Sequence, residues 1–572
     1  MEAGYGMSDT PGYAELSNGF DWSLAEAELG YEHGDIINIG WYCSDRPCRL
    51  GLADKPALIW ENIHGDERLY SFDDVRLLSN AIAAFLRELG LQPEERICLF
   101  MDRLPELYIS FLGILKMGGI AQPLYSAFGD ESLWTRLQDA GTAAVITQKK
   151  HLGKVRRIRD RLPELRHIIV VDGERAKRQE REITLRMDEL PRPDHFDLYP
   201  ATAETPSVLH YTSGTTGQPK GAQHVHYSLI AQYLTAKWVL DLKPDDIYWC
   251  NADPGWITGT SYGIIGPWSN GTTQVVLDSG FNAELWYRFI EKHRVTVWYS
   301  APTAIRLLMK EGSALPKRFD LSSLRHLCSV GEPLNAEAVI WSQETFGLPF
   351  RDTYWQTETG CIVITNFPGL EVKPGSMGLP FPGIPAAVLQ PQTFEPLTEP
   401  GTVGIIALRA PWPSFIRGYW NNEEGYRAKL VNGWYLTGDR ASVDADGYYW
   451  FMGRDDDVIN TGGHLVGPFE IESALLEHPA VAESAAVGKP DPVNMEVVKA
   501  FVTLKPGHAP DGDLELEIMN FIRKKLSPIA MPQEIEFVES LPKTRSGKIM
   551  RRVLRAQEWG EPVGDISTLM ED

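Results

Sequence analysis

The feature that most constrains the fold of this chain is an alternation of short β-branched runs with longer helical patterns. Residues 168–171 (IIVV) and 274–277 (QVVL) are two of these runs. Runs of this length that alternate with helices are typical of α/β folds with a substantial parallel sheet. In such folds small ligands bind at loops beyond the carboxyl ends of the strands, so glycine-rich strand exits are the first places to search for a site.

The chain length predicts more than one domain. Its 572 residues exceed the usual size of a single hydrophobic core. A β-like run at 447–453 ends in the charged segment 454–457 (RDDD), where we place the domain boundary. The residues from 455 to 572 are enough for a small domain of their own, after a large domain at 1–454.

Composition argues against several classes of protein. The formal net charge of −22 disfavours nucleic-acid partners, which require a basic surface. The six cysteines form no CxxC pair, so we expect reduced thiols rather than a zinc or redox centre. The first 30 residues lack the pattern of a secretory signal, and the apolar stretch 107–124 is broken by Lys116 and two glycines. We therefore expect a cytoplasmic protein without a membrane partner, and we interpret 107–124 as a core helix followed by a strand.

The strongest motif is residues 211–221 (YTSGTTGQPKG), which follow the strand-like residues 208–210. Glycines let backbone amides wrap a phosphate, hydroxyls add donors, and Lys220 supplies a countercharge. The Walker A pattern is not met, which disfavours a P-loop NTPase. Taken alone, the motif is equally consistent with a polar surface turn before an amphipathic helix around residues 230–238.

The loop resembles the signature of the adenylate-forming superfamily, which comprises acyl-CoA synthetases, luciferases and peptide-synthetase adenylation domains. Further motifs follow in the order of that family: 331–333 (GEP), 354–360 (YWQTETG), 435–439 (YLTGD), 453–457 (GRDDD) and 542–548 (PKTRSGK). Chance agreement of so many motifs in one order is far less probable than for a single motif. The chain is identified as a member over about residues 50–555.

The resemblance implies an α/β fold with a large adenylate-forming domain of layered sheets and helices and a small mobile α+β domain. It implies two steps: a carboxylic acid and ATP form acyl-AMP and pyrophosphate with Mg²⁺, and coenzyme A then displaces AMP. We expect a short acid, acetate before propionate, and either direction of reaction. Alternatives are an adenylation enzyme that loads a carrier protein, a synthetase for longer or aromatic acids, and a nucleotide-binding regulator without turnover.

The resemblance also implies an ATP- and AMP-binding set. It consists of Thr212, Ser213, Gly214, Thr215, Thr216, Gly217, Lys220, Gly331, Glu332, Pro333, Asp352, Thr353, Tyr354, Trp355, Gln356, Thr357, Asp439 and Arg454. Asp439 would accept hydrogen bonds from both ribose hydroxyls, with Arg454 beside it. Thr212 and Glu358 would be catalytic, with Glu358 as the ligand of Mg²⁺, a hard cation that prefers oxygen. The competing interpretations are a solvated polar turn for Glu358 and a plain turn for Asp439.

Lys548 matches the family's catalytic lysine, which bridges the carboxylate of the acid and the α-phosphate while pyrophosphate leaves. The family rotates its small domain between the two steps, and Asp456 matches the hinge position. The basic segment around Lys548 is alternatively a surface for nucleic acid or an acidic partner. A further hypothesis is regulation by a lysine acetyltransferase and deacetylase acting on Lys548, because acetylation removes the charge.

For coenzyme A the resemblance implies Thr461, Gly462, Gly463 and Arg523. The alternatives are an ordinary glycine turn and a solvated helical arginine. Lys154, Arg156 and Arg157 are weaker candidates for the 3′-phosphate of coenzyme A. Leu465 departs from the arginine that acetyl-CoA synthetases commonly have there. Whether the chain forms a homo-oligomer stays open.

Trp355 is the predicted floor of the acid pocket. Relatives that take longer acids usually have glycine at this position, and an indole buries roughly 150–250 Å², enough to displace several methylenes. Ile257, Thr258 and Val330 would complete the wall. The alternative is plain core packing, in a chain with 17 tryptophans.

Overall fold

The computed structural model describes residues 12–174, 179–213, 219–455, 457–461, 464–544, 548–563 and 569. It is a mixed α/β structure with four sheets, as expected from the alternating sequence pattern.

The strands lie in the following order along the described chain: β1 Pro56–Asn62, β2 Glu67–Ser71, β3 Arg96–Phe100, β4 Ile120–Pro123, β5 Ala144–Thr147, β6 His167–Val170, β7 Glu182–Thr184, β8 Pro206–Ser213, β9 Pro219–Val225, β10 Ile247–Cys250, β11 Thr273–Asp278, β12 Val297–Ser300, β13 His326–Val330, β14 Phe350–Tyr354, β15 Ile364–Thr365, β16 Leu379–Pro380, β17 Ala386–Leu389, β18 Gly404–Arg409, β19 Gly418–Tyr419, β20 Leu430–Val431, β21 Trp434–Val443, β22 Tyr449–Arg454, β23 Ile459–Thr461, β24 His464–Val466, β25 Val481–Asp491, β26 Met495–Leu504 and β27 Glu534–Phe537.

The α-helices connect and cover these strands: α1 Tyr13–Ser17, α2 Ser23–Leu29, α3 Ile39–Pro47, α4 Phe72–Glu88, α5 Pro105–Lys116, α6 Asp130–Ala140, α7 Lys149–Ile158, α8 Ser228–Trp238, α9 Ile257–Thr260, α10 Gly266–Ser269, α11 Ala283–His293, α12 Pro302–Lys310, α13 Ala336–Phe346, α14 Glu423–Arg427, α15 Pro468–Leu476, α16 Gly512–Lys525 and α17 Arg551–Trp559. No helix in the described parts of the chain combines the length and the apolar character that crossing a bilayer requires.

Two large sheets contain the parallel strands that the sequence predicts. One has the order β16-β15-β14-β13-β12-β10-β11-β1-β2, and the strands from β14 to β1 in this order run parallel to their neighbours. The other has the order β19-β9-β8-β4-β3-β5-β6-β7, with parallel pairing from β8 to β7. The predicted run at 274–277 lies within β11, and residues 168–170 of the other predicted run lie in β6, which ends at Val170. The stretch at 107–124 forms α5 and β4, which confirms the interpretation as a helix followed by a strand.

A third sheet contains β17, β18, β20, β21 and β22, and its strands pair in antiparallel fashion. The fourth sheet contains β23 to β27, with the order β24-β23-β26-β25 and β27 beside β26. Helices α15 and α17 pack on β25. This last sheet begins at Ile459, a few residues after the predicted boundary at 454 and 455, and Asp456 lies outside the described residues. The domain boundary and the hinge remain predictions.

One local expectation is wrong. The helix around residues 230–238 is not amphipathic, because nearly every residue of α8 is buried. It also does not follow the phosphate loop directly, since β9 intervenes. The loop instead joins β8 and β9, which pair in antiparallel register with Thr212 opposite Lys220. The described ends of the motif therefore lie on two antiparallel neighbours, β8 and β9, next to the edge strand β19 of the second large sheet.

Candidate functional site

A cavity of about 340 Å³ lies where β13 and β14 end. The two strands are parallel neighbours, with Val330 opposite Thr353, so the segments that follow them meet at the same edge of the sheet. Eleven of the predicted residues line this cavity: Gly331, Glu332, Pro333, Asp352, Thr353, Tyr354, Trp355, Gln356, Asp439, Arg454 and Lys548. The tertiary structure thus brings together motifs that are separated by more than 200 residues in the sequence.

The carboxylate of Asp439 is buried and accepts two short hydrogen bonds. Tyr354 Oη and Gln356 Nε2 each donate to Asp439 Oδ2 at 2.6 Å. Asp439 and Arg454 are opposite each other in the antiparallel pair of β21 and β22, and Arg454 Nη1 lies 3.6 Å from Asp439 Oδ1. Gln356 is held in turn by the hydroxyl of Tyr435, which donates to Gln356 Oε1 at 2.8 Å. The alternative of a plain turn at Asp439 is therefore disfavoured, because its side chain is the centre of a hydrogen-bond network.

Asp352 presents a second carboxyl group to the cavity. Its side chain is 4% exposed. Burial raises the pKa of Asp352 to about 7, although backbone hydrogen bonds from Thr353 and Leu334 act in the opposite direction. A buried carboxyl group without a cationic partner to offset its desolvation is more stable in its neutral form. Near neutral pH this group therefore exists in both protonation states.

The 331–333 segment is held by contacts on its far side. Glu332 accepts hydrogen bonds from Thr303 Oγ1 and from Arg306 Nη2, both at 2.6 Å. Gly331 has a φ of +90°, a conformation that residues with a Cβ rarely adopt. Because the Glu332 carboxylate is engaged by α12, we expect its backbone rather than its charge to contact a ligand in the cavity.

Glu358 lies on the turn after β14, outside the residues that line the cavity, and contacts the hairpin of the phosphate loop indirectly. Tyr419 Oη donates to Glu358 Oε1 at 2.7 Å, and Lys220 Nζ lies 5.4 Å from the centre of the Tyr419 ring. Glu358 is half-buried rather than on a fully solvated turn. Its carboxylate oxygens suit a hard cation such as Mg²⁺, so the side chain fits the predicted metal-binding role.

Lys429 is a residue that the sequence analysis missed. Burial lowers the pKa of Lys429, while the charges of Glu358 and Asp439 raise it and those of Arg454 and Lys220 lower it further. Its ammonium group is therefore within electrostatic range of both predicted carboxylates. The signal in the sequence was weak, because Lys429 precedes the 435–439 motif in a segment without a pattern of its own.

Lys548 reaches the cavity from the small domain. Its side chain retains contact with solvent at the rim. Loss of water around the ammonium group lowers the pKa of Lys548, and the charge of Arg454 lowers it further. Lys548 N donates to Thr544 Oγ1 at 3.0 Å, and Thr544 N donates to Lys548 O at 2.7 Å. These two hydrogen bonds between Thr544 and Lys548 fix the position of the Lys548 backbone.

Trp355 is 9% exposed and borders both the cavity and the hydrophobic core. Its ring packs edge-on against Tyr262, with ring centres 5.0 Å apart, and it belongs to the same hydrophobic cluster as Ile257 and Val330. Ile257, Thr258 and Val330 do not themselves line the 340 Å³ cavity as the described residues form it. Core packing and a role as pocket floor are thus compatible for this indole.

Several predicted residues are not brought to the cavity. Thr212 and Lys220 lie in the β8–β9 hairpin, Ser213 ends β8, and Thr357 lies on the turn before Glu358. Thr461 ends β23 and Arg523 is exposed in the last turn of α16, and neither lines the cavity. Gly214, Thr215, Thr216, Gly217, Gly462 and Gly463 lie outside the described residues. The roles of all these residues in binding remain predictions.

The three weaker candidates for the 3′-phosphate already have protein partners. Lys154 Nζ donates to the backbone oxygens of Ser126 and Phe128. Arg156 and Arg157 each form a two-pronged ion pair, with Glu182 and Asp130 respectively. Binding a phosphate there would require these pairs to be exchanged, which makes these side chains poorer candidates than their charges suggest.

The cavity also contains residues that lie outside every recognised motif. They are Met377, Phe451, Pro468, Phe469, Ile549, Met550, Arg551 and Arg552. Three further lining residues, Gly453, Asp457 and Thr544, belong to the motifs but were not predicted to contact a ligand. Arg551 is oriented by Glu472, to which Arg551 Nε donates at 2.6 Å. The apolar members make part of the cavity lining hydrophobic. The basic segment near Lys548 thus faces this cavity through Arg551 and Arg552.

Comparisons with known proteins agree with this geometry. Residues 50–420 match the family model of AMP-binding enzymes, and residues 470–548 match the model of the AMP-binding enzyme C-terminal domain. An acetyl-coenzyme A synthetase of Bacillus subtilis (strain 168) is 45% identical over 564 residues, which cover 98% of this chain and 97% of the relative. Two crystal structures are similar. An acyl-CoA synthetase of Brucella canis is 33% identical with a TM-score of 0.75, over 96% of this chain and 99% of that chain. An anthranilate CoA ligase in complex with anthranoyl-AMP is 31% identical with a TM-score of 0.83, over 91% and 97%.

The raised pKa of Asp352 predicts a pH-dependent stability. The unfolded carboxyl group ionises near its ordinary pKa of 3.8, whereas the folded group retains its proton up to about pH 7. Its contribution to stability is therefore fully present below pH 4 and is lost as the pH rises towards 7, by about 2 kcal/mol between pH 5 and 8. The Asp352→Asn variant should show a smaller decrease in apparent melting temperature over this range than the wild type. An exposed Asp188→Asn variant is the control, and equal pH dependence of all three proteins would contradict the prediction.

Proposed function

We propose that this chain, which belongs to the family of AMP-binding enzymes, ligates acetate to coenzyme A in an AMP-forming reaction. In the first step acetate attacks the α-phosphate of ATP, which gives acetyl-AMP and pyrophosphate. In the second step the thiol of coenzyme A attacks the acyl carbon and AMP leaves. The observation that carries the proposal is the convergence of Asp439, Arg454 and Lys548 on one cavity, in a chain 45% identical to an acetyl-coenzyme A synthetase.

The described residues support a division of roles within the cavity. Asp439 would accept hydrogen bonds from the ribose hydroxyls, with Tyr354 and Gln356 holding its carboxylate in place. The 331–333 segment and the wall at Asp352 would enclose the adenine. Lys548 would lie between the carboxylate of the acid and the α-phosphate, where its positive charge offsets negative charge that develops as pyrophosphate leaves.

Glu358 is the proposed ligand of Mg²⁺. When bound, Mg²⁺ neutralises charge on the phosphates of ATP. The protein's own contribution at this point is to hold the Glu358 carboxylate through the Tyr419 hydroxyl, beside the hairpin of the phosphate loop. Thr212 and the loop residues to Gly217 are proposed to bind the phosphates from that hairpin.

The second step is proposed to use the other face of the small domain. Thr461, Gly462, Gly463 and Arg523 would contact coenzyme A after residues 455–572 rotate about Asp456 relative to 1–454. Contacts between the two parts in the present pose include a hydrogen bond from Asn335 Nδ2 to Ser473 Oγ at 2.8 Å and an edge-on contact between the rings of Phe451 and Phe469 at 5.6 Å. We propose the cytoplasm as the compartment, where the six free thiols, five of them buried, remain reduced.

A carrier-loading adenylation enzyme remains the second candidate for the acceptor, although the Bacillus subtilis relative, which matches almost the whole chain, is named for coenzyme A. The test of the proposal is formation of AMP with ATP, Mg²⁺ and acetate, with and without coenzyme A. Turnover that depends on free coenzyme A supports the proposal. Adenylation without transfer to free coenzyme A would indicate a carrier protein instead.

Removal of the Lys548 charge should separate the two steps. In the Lys548→Ala variant the first step should slow by about 100-fold or more, because a transition-state charge partner is lost. The second step, started from acetyl-AMP and coenzyme A, should be nearly unchanged, since Lys548 leaves the cavity when the small domain rotates. Lys505→Ala, an exposed lysine of the same domain, is the matched control. Undiminished adenylation in Lys548→Ala would refute the proposed mechanism.

The indole of Trp355 should determine the length of the acid. The wild type should prefer acetate and propionate over butyrate and hexanoate, and Trp355→Gly should accept the longer acids with a gain of at least about tenfold in relative kcat/KM. The measurement is AMP formation across these four acids and benzoate. An unchanged acid profile in Trp355→Gly would show that another residue forms the pocket floor.

Acetylation of Lys548 is proposed to switch off the first step. The Lys548 side chain reaches solvent at the rim of the cavity, so a modifying enzyme has access to it. Acetylation removes the charge, so protein uniformly acetylated at Lys548 should match Lys548→Ala in the first step and recover on deacetylation. Normal adenylation by the acetylated protein would exclude this form of regulation.

A further inference from the structure

A chain of buried hydrogen bonds lies beneath the indole of Trp355. Trp355 Nε1 donates to Tyr299 Oη at 3.2 Å. The Tyr299 hydroxyl lies 2.7 Å from Thr353 Oγ1, and Thr353 Oγ1 lies 2.7 Å from the backbone oxygen of Ser329. These groups come from the neighbouring parallel strands β12, β13 and β14 and from the residue after β14. These hydrogen bonds therefore connect a residue that lines the cavity to the backbone of β13, a strand with a parallel neighbour on each side.

The direction of every bond in this chain is determined by its two ends. An indole N–H only donates and a carbonyl oxygen only accepts. Thr353 must therefore donate its hydroxyl proton to Ser329 O, and its oxygen must accept the proton of Tyr299. The Tyr299 oxygen is then oriented to accept from Trp355. In this arrangement the side chains of Trp355, Tyr299 and Thr353 all form their hydrogen bonds. Reversing the direction of any one bond would break another.

Packing restricts the same ring from the side. Tyr262 meets the indole edge-on at 5.0 Å between ring centres, and Tyr262 and Tyr299 are themselves edge-on at 5.8 Å. Tyr262 and Tyr299 are fully buried. If the indole turned away from Tyr299, its N–H would lose its hydrogen bond and would face apolar side chains instead. A buried donor without an acceptor costs free energy. The Tyr299 hydroxyl therefore selects the orientation of the indole.

We propose that Tyr299 is the positioning residue for acid selectivity: its hydroxyl locks the Trp355 indole in the orientation that closes the acid pocket. The inference rests on the proposed function, in which Trp355 is the floor of that pocket. Tyr299 does not line the cavity in the described structure. Tyr299 acts on the pocket through its hydrogen bond to the Trp355 indole. Its own hydroxyl is held in place by Thr353, which is bonded to the backbone oxygen of Ser329.

The Tyr299→Phe variant keeps the ring and removes the acceptor. The indole then loses the bond that selects its orientation, and the pocket can deepen when a longer acid enters. The ratio of kcat/KM for butyrate to that for acetate should rise by about tenfold, because butyrate has two more methylenes than acetate, each is discriminated by about 10-fold or more in such pockets, and loss of one hydrogen bond relieves part of this discrimination. We expect KM for acetate to rise more than kcat falls, because the acid is bound less closely while Lys548 is untouched.

A double-mutant cycle separates this role from a general loss of packing. Trp355→Phe has no N–H to orient, so adding Tyr299→Phe to it should change the butyrate-to-acetate ratio by less than about twofold. Equal effects of Tyr299→Phe in both backgrounds would overturn the proposal. Thr353→Val, which removes the acceptor of the Tyr299 proton, should shift the ratio in the same direction as Tyr299→Phe and serves if that variant does not fold.

Tyr287→Phe is the matched control. Tyr287 is also fully buried, its hydroxyl has no hydrogen-bond partner among the described residues, and it belongs to a different hydrophobic cluster. The butyrate-to-acetate ratio of kcat/KM in Tyr287→Phe should equal that of the wild type. If Trp355→Gly admits butyrate and Tyr299→Phe does not, the positioning role is wrong and the proposed pocket stands. If neither variant changes the ratio, the proposed acid pocket itself is wrong.

Discussion

The carboxylate of Asp439 is the interaction on which the rest of the cavity depends. It is 5% exposed, and a carboxylate at such burial is stable only with donors and a positive charge around it. Tyr354 and Gln356 supply the donors from the end of β14, and Arg454 supplies the charge from β22. The network therefore fixes the antiparallel third sheet against the edge of a large parallel sheet. Backbone hydrogen bonds from Met377 N to Tyr449 O and from Tyr449 N to Gly378 O, both at 2.9 Å, support the same placement.

The two sides of the cavity hold their charged side chains in different ways. On the large-domain side, Glu332 is clamped by Thr303 and Arg306, and the strands behind it are buried in a parallel sheet. On the small-domain side, Lys548 is held mainly by its own loop and keeps contact with solvent. In the proposed function the charge of Lys548 is needed only in the first step, and Lys548 belongs to the part that we propose to rotate. The binding groups that both proposed steps need lie on the large-domain side.

The proposed acid pocket depends on one directed hydrogen bond within the hydrophobic core. Trp355 has an apolar ring that fits among Tyr262, Ile257 and Val330 and one polar atom that requires a partner. The partner, Tyr299, is satisfied through Thr353 by a strand backbone. A ring held only by packing would adjust to a longer acid at little cost. A ring held by a directed hydrogen bond resists the change, so in the proposed acid pocket the selectivity depends on Tyr299, a residue that does not line the cavity.

The sequence by itself determined the local elements and the chemistry. The periodicities at 168–171 and 274–277 predicted strands, and the stretch at 107–124 predicted a helix and a strand. The ordered motifs indicated eleven of the residues that line the cavity. These features depend on neighbouring residues in the sequence. Only the tertiary structure decided which groups meet. Examples are the hydrogen bond between Tyr299 and Trp355, the position of Lys429 near Glu358, and the burial of α8. Each depends on segments that are far apart in the sequence. Such contacts depend on strand order and sheet packing. The pattern of residues within one segment does not indicate which distant segment will pack against it.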